Sequence, residues 1–550
     1  MAGSKLKTSH LLGMLVALSF VIWWLNQADS VTDKRTAGAR TGTAATTTAA
    51  TLMSYCPWST SRKHVPTVIL RGDGLNHRRT NRTHFVTDPG TFLPWAYPPR
   101  DLRLAQHISD KAAAAAANVP GRGRLDIDPD EQGKQLCPMY TVPSSAPPAV
   151  PQTWSDSKVM FGMSTTADRV LYNIPVWQHW IPTAAGASAL DSGTNDAWKD
   201  SSRLLILTPP PNPTEAARTR EAVEEARSLG INLVMRKRES DRFETRYFSL
   251  AEEMWEEALK REAQEAVTTE WFVFMDDDTF FPDFDSVKRM LSQHDFTEPV
   301  LIGALSESKK QVKQWGHISY GGAGIYVSRR LLEMMNQPGA FRECLDEYGA
   351  SFGGDAMVSH CAARVTKKEV KEILTIDPTL HQMDIRGDGT GFFQSGFLFT
   401  SIHHWGSWFT LFPPWSETGT GDLRKQVTIV GKAAKAVNGD NWQRRYVFEN
   451  GKVVVNLGYS VVLEAKALTE SELEKSEHTW WEFETFHPIR PGQEEALEKR
   501  TYYLTGVKHL EPDIVKLEHK NREGEKVDII WDGRAGRTSK KSSWWHGKGH

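Results

Sequence analysis

Between residues 158 and 275 the chain alternates short apolar runs with longer stretches of helical periodicity, and this alternation limits the fold more than any other feature. The apolar runs are "KVMFGMST" (158–165), "RLLILTPP" (203–210), "INLVMRK" (231–237) and "EWFVFM" (270–275). Between them, "ADRVLYNIPVWQHWI" repeats apolar residues at helical spacing until Pro175 interrupts it. "TEAARTREAVEEARSLG" reads as a helix with Thr214 as N-cap and Gly230 as its stop, and "SLAEEMWEEALKREAQEA" as a long amphipathic helix. Repeated strand–helix–strand units predict an α/β fold with a mostly parallel central sheet covered on both faces. Such sheets bind ligands beyond the carboxyl ends of their strands.

At that position "WFVFMDDDTFFPDFD" (271–285) passes from a strand that reads as buried on both faces into Asp276, Asp277 and Asp278. Adjacent carboxylates disfavour one another's ionisation unless a cation or donors offset them. Alternate residues of extended chain share a side, so Asp276 and Asp278 can converge on one ligand while Asp277 faces away. Oxygen-rich sites of this kind suit Mg2+, Mn2+ or Ca2+. The plainer role, capping the helix after Pro282, needs only Asp285 or Ser286. A haloacid-dehalogenase-type phosphatase is excluded because Phe280 stands where Thr or Val is required, and no twelve-residue EF-hand loop follows.

The 550 residues allow more than one domain, and 66 Lys and Arg against 68 Asp and Glu call for no nucleic-acid partner. At the N-terminus a basic segment (1–10) precedes the apolar run 11–25, read as an uncleaved signal anchor rather than a cleaved signal peptide because no clean cleavage site follows. Everything beyond residue 25 is then lumenal. Residues 26–150 form a lumenal stem and N-terminal region, with a Thr/Ala-rich stretch at 30–54 and a strand candidate at Val65–Leu70. The proline cluster at 141–151 marks the start of a catalytic domain, 151–419. Residues 420–535 change texture to short strands joined by Asn-Gly and Leu-Gly turns, a β-rich accessory region, and 536–550 form a disordered tail. Four cysteines allow three pairings; Cys344–Cys361 and Cys56–Cys137 close the shorter loops. The sequon Asn81-Arg82-Thr83 also fits a lumenal glycoprotein.

"WFVFMDDDTFF", "YGGAGIYVSRRLL", "GGDAMVSHC" and "SIHHWGSW" stand in the order found in Fringe-like β1,3-glycosyltransferases, glycosyltransferase family 31, and the chain is most similar to the fungal branch. The resemblance covers residues 155–415. It implies a GT-A type fold, a UDP-sugar donor, Mn2+ (or Mg2+), and inverting transfer to a glycan or glycoprotein acceptor by a single-pass type II protein of the Golgi membrane. Carried over by position, Asp278 is the chief metal ligand, with Asp276 also near the metal, and Asp276 and Asp277 serve the ribose and the metal's water shell. Asp355 in "GGDAM" matches the general base, since inversion needs a carboxylate opposite the leaving group; an N-cap role after the Gly-Gly turn is open to the same residue. His403 or His404 completes the metal site, with His381 as a further possibility. Gly322 and Gly324 of "GGAG" let backbone approach donor or acceptor, while Ser164, Thr165, Thr166 and Arg169 occupy nucleotide-contacting positions. "RGDGTG" (386–391) lacks the setting of a P-loop and is read as a substrate-side loop. The alternative from another class is a carbohydrate-binding protein derived from a transferase and no longer catalytic, which would need no base.

Overall fold

Each of the apolar runs becomes a strand of one sheet. The computed structural model of the protein describes residues 67–73, 83–86, 138–145, 154–182, 198–210, 213–240, 242–350, 353–406, 411–412, 422–482 and 499–534. The seven-stranded sheet has the order Leu374–Ile376, Leu301–Gly303, Ile325–Ser328, Trp271–Phe274, Val159–Ser164, Arg203–Thr208, Asn232–Lys237. All pairings are parallel except those of Ile325–Ser328, which runs against both neighbours. The mostly parallel α/β architecture expected from the alternation is therefore observed.

Trp271–Phe274 is central and wholly buried, and its side chains divide between two cores. Phe272 and Phe274 pack with Phe248, Leu250 and Met357, under the helices Phe243–Glu265 and Gly354–Thr366. Trp271, Val273 and Met275 join Phe161, Phe281 and Phe284 on the other face. This period-two division is why a sheet covered on both sides reads as an unbroken apolar run.

Several element boundaries differ from expectation for local reasons. One helix spans Pro213–Ser228, so Thr214 lies inside it and Pro213, whose ring presets the helical φ, opens it. The helix Ala167–Trp177 contains Pro175 near its end rather than stopping there, with Thr166 as its cap. After Pro282 the N-cap is Asp283, which accepts from the Asp285 amide at 3.3 Å, rather than Asp285 or Ser286.

The C-terminal region is β-rich, as expected, and turns at Asn450-Gly451 and Leu457-Gly458, where Gly451 and Gly458 have φ of +100° and +76°. Its sheet has nine strands, and three of them come from far upstream: Thr67–Gly72, Thr83–Phe85 and Met139–Val142. Thr67–Gly72 pairs in parallel with Lys526–Asp532 and with Met139–Val142, so the residues before the catalytic region share a sheet with those after it. Such long-range parallel pairing leaves no local sequence signal.

Cys344 and Cys361 form a disulfide that ties the helix Ala340–Tyr348 to Gly354–Thr366. Among the described residues no helix is long and apolar enough to cross a membrane. The expected anchor (11–25), the Thr/Ala-rich stretch, Cys56, Cys137, Asn81 and the C-terminal tail lie outside the described residues.

Candidate active site

The acidic triplet follows Trp271–Phe274 at the carboxyl edge of the sheet, and its alternating directions separate it into two environments. Asp277 is buried; Thr165 donates to its carboxylate, the Arg169 guanidinium binds it in a bidentate pair, and the Trp177 indole holds its carbonyl at 3.1 Å. Thr165 and Arg169, expected at the nucleotide, thus engage Asp277, although the Arg169 side chain remains 60% exposed. Thr166 caps its helix, and the buried Ser164 hydroxyl has no hydrogen-bond partner among the described residues.

Asp276 and Asp278 face the other way, toward "SIHH". An antiparallel bridge, in which Phe280 and Ile402 exchange both backbone hydrogen bonds at 2.8 Å, brings that segment alongside the acidic turn. His403 Nε2 consequently lies 3.2 Å from Asp276 and 3.1 Å from Asp278, and His404 Nδ1 lies 3.5 Å from Asp278. His404 adopts φ of +55°, the left-handed backbone that few residues other than glycine take and that histidine takes more often than most.

Asp278, His403 and His404 each offer one ligand atom, and these atoms lie within 4.8 Å of one another. His403 is 2% exposed, and its Nδ1 sits 2.9 Å from the Gln382 carbonyl. A carbonyl only accepts, so Nδ1 carries the proton and the Nε2 lone pair is directed between two carboxylates. A cation or a second proton must lie between such groups, and an N–H fixed on a backbone carbonyl is the usual support of a metal-bound imidazole. The donor set, two imidazoles and a carboxylate, therefore fits a divalent transition-metal cation. Burial would raise the Asp278 carboxyl, but His403 beside it holds it well below the usual range. Burial and the neighbouring His403 push His404 down to about 4, which keeps its ring neutral. His381 is elsewhere: its nitrogens meet Glu307 at 3.2 Å and the Leu398 carbonyl at 3.1 Å, amid Phe392, Phe397 and Phe399.

The turn Gly321–Gly324 lies between His403 and Asp355. Gly322 presses against the imidazole so closely that a Cβ there would fall 2.0 Å from His403 Nδ1. The Gly321 amide donates to Asp355 Oδ2 at 3.4 Å, the Ala356 amide to Oδ1 at 2.8 Å, and Gly324 has φ of +90°. Gly353, not Asp355, is the N-cap of the helix Gly354–Thr366, which leaves Asp355 in the first turn. Burial pushes Asp355 up to about 6, opposed by the Ala356 amide and reinforced by the charge of Asp276. Substituting Gly322→Ala should displace His403 and weaken binding of a divalent cation at the cluster by roughly fivefold to a hundredfold, given ~1–3 kcal/mol for forcing an atom into a packed site. Calorimetric titration of the variant checks this, and wild-type affinity would contradict it.

Sequence reasoning missed four supporting groups. Gln382 accepts from the Ala323 amide at 3.0 Å as well as holding His403, so one residue sets both turn and imidazole. Asp384 lies 3.9 Å from His404 Nε2 and accepts from Ser306 at 2.5 Å. Tyr247 and Tyr320 flank Asp355 with buried hydroxyls that have no hydrogen-bond partner among the described residues. Gln382 and Asp384 lie beside the more conspicuous "RGDGTG", where Asp388 accepts from the Thr390 amide at 3.0 Å and Ile385–Gly387 pairs with Trp480–Glu482. Tyr247 lies mid-helix with nothing in the sequence to mark it.

Residues 311–523 match the family described as "Protein of unknown function, DUF604". The matched segment contains the glycine turn, Asp355 and both histidines, and begins after the acidic triplet. No curated protein shows a match to the chain. Solved structures similar to it include the mannosyltransferase PcManGT from Pyrobaculum calidifontis in complex with GDP-Man and Mn2+, at 13% identity over 54% of this chain and 78% of that one, TM-score 0.25. Mouse xyloside xylosyltransferase 1, apo form, is similar at 10% identity over 44% of this chain and 96% of that one, TM-score 0.25.

Proposed function

We propose that the protein is an inverting, metal-dependent glycosyltransferase of GT-A type that moves a hexose from a UDP-sugar to a hydroxyl of a glycan or glycoprotein. By resemblance it is a Fringe-like β1,3-hexosyltransferase of the fungal branch of family 31, acting as a type II protein in the Golgi membrane. One observation carries the reading: a single glycine turn has the Asp278–His403–His404 cluster on one side and a carboxylate of raised affinity for protons on the other.

Asp278, His403 and His404 would hold a divalent cation, with Asp276 next to them; when bound, it supplies Lewis-acid stabilisation of the diphosphate leaving group. The chain's own groups do the rest. The glycine turn is buried; the space left bare at 321 and 322 is taken by Tyr247 and His403, and that at 324 is bordered by Tyr326. Gly322 and Gly324 therefore do not open backbone to donor or acceptor as expected, but let the cluster and Asp355 pack close together. Asp355 takes the proton of the acceptor hydroxyl as its oxygen bonds to the anomeric carbon from the face opposite the leaving group. The anomeric carbon–oxygen bond to the diphosphate breaks in the same displacement, and the bonding pair leaves with UDP. Asp277, neutralised by Arg169, fixes the turn that presents Asp276 and Asp278.

A screen of nucleotide sugars for Mn2+-dependent hydrolysis and transfer tests the function. Titration with UDP, with and without Mn2+, separates it from a carbohydrate-binding protein, for which nucleotide affinity would not depend on the metal. The base must be ionised to act, so kcat/KM should rise with pH through about 6, the value to which burial pushes Asp355. A cation at Asp278 moves that limb lower by its charge. The pH profile of kcat/KM checks this; a rate that falls as pH rises from 5 to 7 would exclude Asp355 as the base.

A further inference from the structure

Toward the end of Gly354–Thr366, on the side of the helix that carries His360, Ala363 and Arg364, a cavity of about 450 Å³ opens beside the end of the helix Lys309–Trp315. Trp315, 41% exposed, borders it together with His317, Tyr348 and His360. The chain runs from this wall directly into Tyr320 and the glycine turn. His360 and Arg364 lie about 8 Å and 14 Å along the helix axis from Asp355, at ~1.5 Å of rise per residue, and roughly 140° and 180° around it. An oligosaccharide of several sugars is long enough to run from the cavity round to Asp355.

Aromatic faces at a polar, open cavity suit sugar rings, which offer them apolar C–H edges with hydroxyls around the rim. The charge is unequal. Lys368 and Lys371 line the cavity, exposed and without ion pairs among the described residues, and on the flanking segments Lys313 and Lys367 stand against the exposed Glu372, whose carboxylate accepts from the Glu369 amide at 2.8 Å. Arg364 is already matched by Glu343 and Glu347, and Glu369 is the one carboxylate on the lining. We propose that this cavity is a second carbohydrate subsite, which takes an anionic stretch of the acceptor, an oligosaccharide bearing carboxylate or phosphate groups, and holds it while a terminal hydroxyl reaches Asp355. The role as acceptor site rests on the transferase reading; the binding itself does not.

The test is calorimetric titration of the purified protein with a hyaluronan-derived hexasaccharide, a phosphomannosyl oligosaccharide and neutral maltohexaose, alongside UDP with Mn2+. One of the two anionic probes should bind at least about tenfold more tightly than maltohexaose, a preference that shrinks as salt screens it. Which one binds distinguishes carboxylate from phosphate. Trp315→Ala and the pair Lys368→Glu, Lys371→Glu should each weaken that binding by roughly fivefold or more while leaving UDP affinity unchanged. These side chains are exposed, so the variants should fold. Equal affinity for neutral and anionic probes overturns the proposal, as does loss in the lysine variant with none in Trp315→Ala, which would mean undirected attraction of polyanions. Anionic binding that passes these tests without metal-dependent UDP binding supports the subsite and removes the transferase reading.

Discussion

Asp355→Asn should lower kcat for transfer by between about a hundredfold and ten-thousandfold, the range for removing a general base, and leave Mn2+-dependent UDP affinity within about twofold of wild type. Asparagine keeps the shape of the side chain, and its carbonyl oxygen still accepts from the Ala356 amide, 2.8 Å from Asp355 Oδ1 in the native protein, but its NH2 group cannot accept from the Gly321 amide, so that long 3.4 Å bond is lost. The glycine turn keeps its other ties, Thr279 donating to the Gly322 carbonyl at 2.8 Å and the Ala323 amide donating to Gln382 at 3.0 Å, and the main loss is the ability to take a proton. The split between the two measurements is the informative part. A merely structural Asp355 would disturb the turn against which His403 packs and weaken nucleotide binding along with turnover. Unchanged kcat would remove the residue from the chemistry, and loss of UDP binding would recast it as part of the donor site.

The second large effect concerns the other side of the turn. Asp278→Asn should abolish the Mn2+ dependence of UDP binding, a loss of about a hundredfold or more, since even residues one step removed from a metal cost 10- to 100-fold. Asp278 faces both histidines, at 3.1 Å and 3.5 Å, and no neighbouring carboxylate reaches both. His403→Ala should act in the same direction but also strand the buried Gln382 carbonyl, costing ~1–3 kcal/mol of stability. Asp278→Asn is thus the cleaner variant, and its thermal midpoint measured without metal separates misfolding from lost ligation. A variant that binds UDP and Mn2+ like wild type would dissolve the proposed metal site.

Much of the frame was legible because it rests on local rules. The four apolar runs became strands within one or two residues of expectation, since strands buried on both faces leave a continuous apolar record. The division of Asp277 from Asp276 and Asp278 agreed with the extended-chain expectation, although the strand ends at Phe274 and a turn, closed by the Thr279 amide on the Asp276 carbonyl at 3.2 Å, produces it. The turns at Gly451 and Gly458 were marked by residues that tolerate positive φ. Helix starts were less legible: Pro213, Asp283 and Gly353 open helices at which neighbouring Thr, Asp or Ser residues were equally eligible caps.

By itself, the sequence determined an acidic turn at the carboxyl edge of a buried parallel sheet, because side-chain period and apolar content act within a few residues of chain. Only the tertiary structure decided which histidines meet those acids. His403 and His404 are brought in by the Phe280–Ile402 bridge, and His381, 22 and 23 positions upstream of them, is turned away onto Glu307. It also decided that Arg169 would neutralise Asp277, and that strands near residues 70 and 140 would pair beside one near residue 530. These contacts join segments far apart in the chain, where the free energy of pairing depends on what the rest of the fold has already brought together.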